Sequence, residues 1–210
     1  MLNYEILLAF MGATAALAIS PGPDNIYVLM QGVTNGRKYG LATTAGLISG
    51  CIIHTTLLAF GVSALIKEND NLFFGIKVLG ALYLLYLAFK VFKTDATLRL
   101  GESNKVPQKT MGQLFREGFI MNVLNPKVTI FFLAFFPGFL FSDSMSTVVQ
   151  FYILGLLFMA VSAIIFSLIA ILSGMISDYI TKNRNVGTLL KWLQIIVFVG
   201  IAIYLLLSEK

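Results

Sequence analysis

The chain has 210 residues, of which 58% are hydrophobic and only 12% charged, with a mean hydropathy of +0.86. Soluble domains carry roughly 25% charged residues, so a water-soluble globule is excluded and an all-α integral membrane protein is expected. The net charge of +5 sits in short loops between apolar runs, which reads as orientation in a bilayer and not as a nucleic-acid surface.

Six apolar spans follow in chain order, at about Ile6–Val33, Leu41–Ile66, Leu72–Phe92, Gly118–Phe141, Thr147–Ile176 and Gly187–Leu207. The first starts without a preceding basic residue and with the acidic Glu5, so Ala16-Leu17-Ala18 is not read as a cleavage site and the segment is expected to be retained. A loop is expected at Thr34–Gly40, around the turn signal Asn35-Gly36, and a short polar turn at Lys67–Asn71. Residues 94–116 form the longest polar stretch and divide the chain into two groups of three spans, 1–93 and 117–210, within one membrane domain. Ser142-Asp143-Ser144 separates spans four and five, and Asp178–Val186 separates five and six.

Assigning alternate loops to opposite sides places eleven of the fifteen Lys and Arg residues on one side and Lys67, Lys77 and Lys210 on the other, with Lys127 inside a span. The richer side is the cytoplasmic one, which makes 94–116 a cytoplasmic connector and turns both termini outward. Three spans per group means that the second group enters the membrane from the opposite side. The expected fold is therefore six transmembrane helices arranged as two inverted three-helix repeats. Aligning Pro23 with Pro126 lays Asp24 on Lys127 and sets two apolar runs over each other. Apolar segments also resemble each other by chance, so both accounts of the match stay open.

Helices 1 and 4 are each broken by proline. The breaks read Ser20-Pro21-Gly22-Pro23-Asp24-Asn25 and Asn122-Val123-Leu124-Asn125-Pro126-Lys127. Proline removes a backbone donor and opens the helix, and opened backbone at membrane depth is tolerated where it is buried or lines a cavity. Broken helices at corresponding positions of two halves point to a transporter's binding site. Pro23 suits the first position of a new helix, with Asp24 favoured in its first turn. Asn125 suits an N-cap and Pro126 the first position, which leaves the cation Lys127 where the helix dipole disfavours it. Asp24 either only stabilises a helix start or binds; Lys127 either snorkels to an interface or meets an anion. If the two face each other, they match an amino-acid zwitterion. Asp24 would take the ammonium; Lys127 and the free N–H groups of its helix would take the carboxylate. Asn25 and Asn122 add donors and acceptors beside Asn125.

His54, the sole histidine, is either a proton relay alongside Asp24 or a neutral residue bonded to a neighbouring helix. Cys51 is the sole cysteine, so no intrachain disulfide is possible, and one His with one Cys falls short of the usual N/S metal sets. No metal and no cofactor are expected. Gly46 and Gly50 offer a small-residue face for helix contact, and Tyr83, Tyr86 and Trp192 read as packing or interface anchors.

Pro21-Gly22-Pro23-Asp24, Gly80-Ala81-Leu82-Tyr83-Leu84, Asn125-Pro126-Lys127, Phe131-Phe132-Leu133 and Phe136-Pro137 together resemble the LysE-type translocators. This lysine-exporter superfamily includes homoserine and threonine efflux proteins. The likeness is specific in order and spacing through about residue 140 and rests on two apolar spans beyond it. It implies a multi-pass exporter of amino acids or their derivatives in the bacterial inner membrane, driven by the proton motive force and assembled as a homodimer. The family's motif residues carry over to Pro21, Gly22, Pro23, Asp24, Asn125, Pro126 and Lys127, and no substrate is implied. Competing readings are a passive small-solute channel and a non-transporting scaffold subunit. An intramembrane enzyme built on Ser20, His54 and Asp24 lacks any nucleophile-elbow frame around the serine.

Overall fold

A computed structural model describes residues 3–20, 22–63, 70–93, 109–183 and 185–207. Among these residues the secondary structure is helical, without strands. Pro21 and the connector residues 94–108 lie outside the described residues, as do Lys67, Arg184 and Lys210.

Helix α1 (Tyr4–Ile19) opens on Asn3, whose side chain accepts from the N–H groups of Glu5 and Ile6. Helix α2 (Pro23–Asn35) follows at 60° to it. Only Gly36 separates α2 from α3 (Arg37–Leu57), at a φ of +98° that an L side chain rarely adopts. The loop expected at Thr34–Gly40 is thus a single residue, because glycine turns the chain without unwinding either helix. A π-helical turn, Leu58–Val62, extends α3.

Helix α4 spans Asp70–Lys93 and packs along α9 (Asn185–Leu207). Lys77, counted above with the loops, is buried within α4. Helix α5 (Met111–Val123) begins inside the stretch expected to be connector. Thr110 and Gln113 form a reciprocal capping box there, which satisfies two orphan donors and fixes the helix start. Helix α6 (Pro126–Phe135) lies at 50° to α5 and tightens into a 3-10 turn, Phe136–Phe139. Helix α7 (Thr147–Ile171) leads into α8 (Ser173–Lys182), so the fifth helical run ends earlier than expected and most of the predicted separator before α9 is helical.

Among the described residues, three continuous helical segments are long and apolar enough to cross a bilayer: Arg37–Val62, Thr147–Ile171 and Val186–Leu207. Counting the bent pairs α1–α2 and α5–α6 as one span each brings the number to five. Both bends fall at the proline breaks.

Helix contacts depend on missing side chains. A Cβ on Gly46 would meet the Phe115 carbonyl, and one on Gly118 would meet that of Thr43, so α3 and α5 touch backbone to backbone. Gly50 makes room for the Asn122 side chain, and Gly155 lets α7 close on Thr55 of α3. The Gly46–Gly50 face is therefore a helix contact, as small-residue stripes in membranes commonly are.

The core is dominated by phenylalanines around α6. Phe131 stacks on Phe135 at 4.4 Å and Phe132 on Phe136 at 4.1 Å, while Phe10 of α1 meets Phe136 edge-on at 5.0 Å and Phe158 of α7 meets Phe132 at 4.9 Å. Such pairs contribute roughly 0.5–1.5 kcal/mol each beyond their buried area. They fix the direction of α6, and with it the position of its first turn. The turn before α7 is held by buried Gln150, whose Oε1 accepts from the N–H groups of Phe141 and Ser142 and whose Nε2 donates to the Ser142 and Met145 carbonyls.

Candidate functional site

Both proline breaks open into one small cavity of about 40 Å³. Gly22, Pro23, Asp24 and Asn25 line it from the first break; Asn122, Asn125 and Lys127 line it from the second. Its other wall is largely apolar, from Leu17, Ile48, Val128, Phe158 and Phe166, with Ala18, Cys51 and Ser162 between them. The volume suits a few waters and is too small for an amino acid.

Local chemistry explains why the two helices start here. Pro23 and Pro126 each occupy the opening of their helix, where the missing N–H is no loss. Asn125 caps α6, its Oδ1 accepting from the Lys127 N–H at 3.0 Å. Gly22 caps α2 without a side chain, so the α2 N-terminus has no side-chain acceptor at its cap. The two helices thus start at the same cavity, where the first turn of α6 is satisfied by Asn125, whose side chain takes the Lys127 N–H and whose carbonyl takes those of Val128 and Thr129.

Asn125 also joins the halves. Its Nδ2 donates to Asp24 Oδ2 at 2.9 Å, across 101 residues of sequence. The other carboxylate oxygen, Oδ1, is buried and has no hydrogen-bond partner among the described residues. Asn25 turns back to α1, donating to the Ala18 carbonyl at 2.7 Å. Lys127 and Asp24 interact across the cavity but form no ion pair within 4.0 Å. The Lys127 Nζ instead lies over the Phe198 ring, 5.0 Å from its centroid, and beside Gly22, where an added Cβ would stand 3.5 Å from it. The ammonium therefore sits near the start of α2, on the cavity.

His54 does not line the cavity. Its Nε2 pairs with the Asn122 carbonyl at 3.0 Å, and its ring packs on Phe132. It serves the backbone opened just before the second break, the arrangement of a histidine bonded to a neighbouring helix. The Asn122 side chain faces Cys51, whose Sγ lies 3.7 Å from its Oδ1.

Two groups stand out that sequence reasoning did not single out. One is Ser162, on the cavity wall opposite the breaks. The other is a polar chain between α2 and α5: the Tyr27 hydroxyl donates to Glu117 Oε2, and Lys109 Nζ binds both Glu117 oxygens, at 2.7 and 2.9 Å. Tyr27 lies one turn along α2 from Asp24, so this chain ties the helix that follows the first break to the helix that precedes the second.

The LysE type translocator family matches residues 15–209. The chain is 29% identical over 201 residues to a leucine efflux protein of Klebsiella pneumoniae subsp. pneumoniae, covering 96% of this chain and 93% of the relative. It is 31% identical over the same length, with the same coverage, to leucine efflux proteins of Salmonella choleraesuis and Salmonella typhimurium. No solved structure matches it. With an apolar helical body, two broken helices and a family match across nearly its whole length, the chain belongs to the LysE type translocators and is a multi-pass membrane transporter, not an enzyme.

Proposed function

We propose that the protein exports an amino acid with an apolar side chain across the bacterial inner membrane by proton-driven antiport. One observation carries the proposal: a carboxylate and an ammonium held apart at two helix starts line a single cavity. A zwitterion complements both at once. Its carboxylate meets Lys127 and two helix N-termini, and its ammonium meets Asp24. Gly22, Pro23 and Pro126 shape the openings; Asn25, Asn122 and Asn125 orient the charges. The apolar wall fits an aliphatic side chain, and the relatives named leucine efflux proteins support that class.

Asp24 is the favoured proton carrier, since it faces the cavity, whereas His54 is engaged with the Asn122 carbonyl. The small cavity volume supports alternating access over a passive channel, because cargo enters only after the helices part. The scaffold is proposed to be six spans in two inverted repeats, with α4 as the third span, 94–116 on the cytoplasmic side and a homodimeric assembly.

The test is transport in proteoliposomes under an imposed pH gradient, with a panel of amino acids and their N-acetyl and amide analogues. Accumulation should collapse with an uncoupler. Asp24→Asn should weaken cargo with a free ammonium and spare N-acetyl analogues, while Lys127→Met should weaken cargo with a free carboxylate and spare amides. Equal losses for every analogue would sink the zwitterion assignment. Flux indifferent to the uncoupler would point to a channel, and no flux at all to a scaffold.

A further inference from the structure

Ser162 is 2% exposed, lines the cavity, and has no hydrogen-bond partner for its hydroxyl among the described residues. That is unusual for a serine within a helix, because the hydroxyl can bond the carbonyl four residues back. Four hydroxyls of α3 do this: Thr43 donates to Tyr39, Thr44 to Gly40, Ser49 to Ala45 and Thr55 to Cys51, at 2.7–3.0 Å. Ser162 sits at the centre of a stripe, Phe158-Ser162-Phe166, spaced four residues apart on the face of α7 that meets the cavity. It is the polar position between two phenylalanines.

Asp24 Oδ1 is the other buried side-chain oxygen on this wall without a partner among the described residues, on a residue only 8% exposed. The buried hydroxyls of Thr14, Ser20 and Ser63 also lack partners among the described residues, but none of them lines this cavity; Ser162 and Asp24 bring two such oxygens to one void. Asp24 Oδ1 is an acceptor, and a hydroxyl accepts as readily as it donates. What both lack is a compact donor with several N–H bonds.

We propose that Ser162 and the free Oδ1 of Asp24 form the recess for a primary ammonium group of the cargo, with Ser162 selecting free amines over acylated or deaminated analogues. This rests on the amino-acid reading above and adds a residue to it. One ammonium N–H goes to Asp24 Oδ1 and a second to Ser162 Oγ. The third is left for the Ala18 carbonyl, which takes one bond from Asn25 and keeps a second lone pair. N-acylation removes two of the three donors and adds bulk between Phe158 and Phe166.

The experiment is competition in proteoliposomes against the best-transported amino acid of the panel, leucine in the expected case. Competitors are the amino acid itself, its decarboxylated amine (3-methylbutylamine for leucine) and its deaminated acid (4-methylpentanoate). In Ser162→Ala, inhibition constants for the amino acid and the amine should rise about ten- to a hundredfold, as for a lost hydrogen bond to a charged group, while that for the acid stays unchanged. An equal change for all three competitors, or none, overturns the proposal and leaves the exporter reading standing. So does sodium-dependent transport in which Ser162→Ala shifts only the sodium requirement, since the recess would then hold a metal cation. A wild-type protein that takes neither amino acid nor amine overturns both.

Discussion

Asn125 performs two separable tasks, and its substitutions can be ranked in advance. Its Oδ1 caps α6 through the Lys127 N–H, and its Nδ2 holds Asp24 Oδ2. Losing an N-cap costs about 1 kcal/mol, and losing a hydrogen bond to a charged group about 1.5–3 kcal/mol. Asn125→Ser keeps a capping oxygen and loses the bridge, so it should destabilise by about 1.5–3 kcal/mol. Asn125→Ala loses both and should cost about 2.5–4 kcal/mol. Asn125→Asp caps well but turns an oxygen toward the Asp24 carboxylate where a donor stood 2.9 Å away, so it should be worse than serine. Reversible unfolding in mixed micelles measures the series, and a double-mutant cycle of Asn125→Ser with Asp24→Ala isolates the bridge. The coupling should account for most of the serine cost. An aspartate variant as stable as the serine one, or a coupling near zero, would show that the Asn125–Asp24 contact contributes nothing and that the two halves are held together elsewhere.

Adding a methyl where α3 and α5 touch should be costly. Gly46→Ala and Gly118→Ala each push a Cβ into a backbone carbonyl of the partner helix and should destabilise by about 1–3 kcal/mol, read as earlier thermal unfolding in detergent, whereas Gly12→Ala, with nothing within 4 Å, should be neutral or slightly stabilising. Reporter fusions after Lys109 and Lys182 should read cytoplasmic and one after Lys210 external, from the Lys/Arg asymmetry. A cytoplasmic reading at Lys210 would break the six-span inverted arrangement.

Proline made the most informative features readable in advance. Pro23 and Pro126 can occupy only a few places in a helix, so the two helix starts, the first-turn positions of Asp24 and Lys127, and the cap at Asn125 all follow from residue type. Helix ends were harder to read. Asn35-Gly36 signals a turn but carries no length, and Gly36 alone proved sufficient. The start of α5 was within reach, because Thr110 and Gln113 have capping-box spacing, but the surrounding polarity suggested connector instead. Ser162 left no such trace. A serine in an apolar helix ordinarily bonds its own backbone, and only the tertiary arrangement shows that this one does not. The Tyr27–Glu117 contact spans 90 residues and depends on how α2 meets α5, which no local pattern encodes.

The charges at the two breaks are arranged to remain available. Asp24 and Lys127 attract each other across a low-dielectric cavity, and a direct ion pair would satisfy both and leave little for cargo. Two contacts oppose that collapse. Asn125 occupies one oxygen of Asp24, and the Phe198 ring draws the Lys127 ammonium to one side, a cation–π contact of about 0.5–2 kcal/mol. Each charge is thus partly compensated by a neutral neighbour and keeps a vacant direction toward the cavity. The N-termini of α2 and α6 add positive potential beside an ammonium that is already poorly placed there. On the proposed reading, an incoming carboxylate would relieve that excess and an incoming ammonium would complete Asp24. A molecule with no charged groups would do neither. On the zwitterion reading proposed above, selectivity would arise from unfinished local electrostatics on either side of one small cavity, with the apolar wall left to discriminate among side chains.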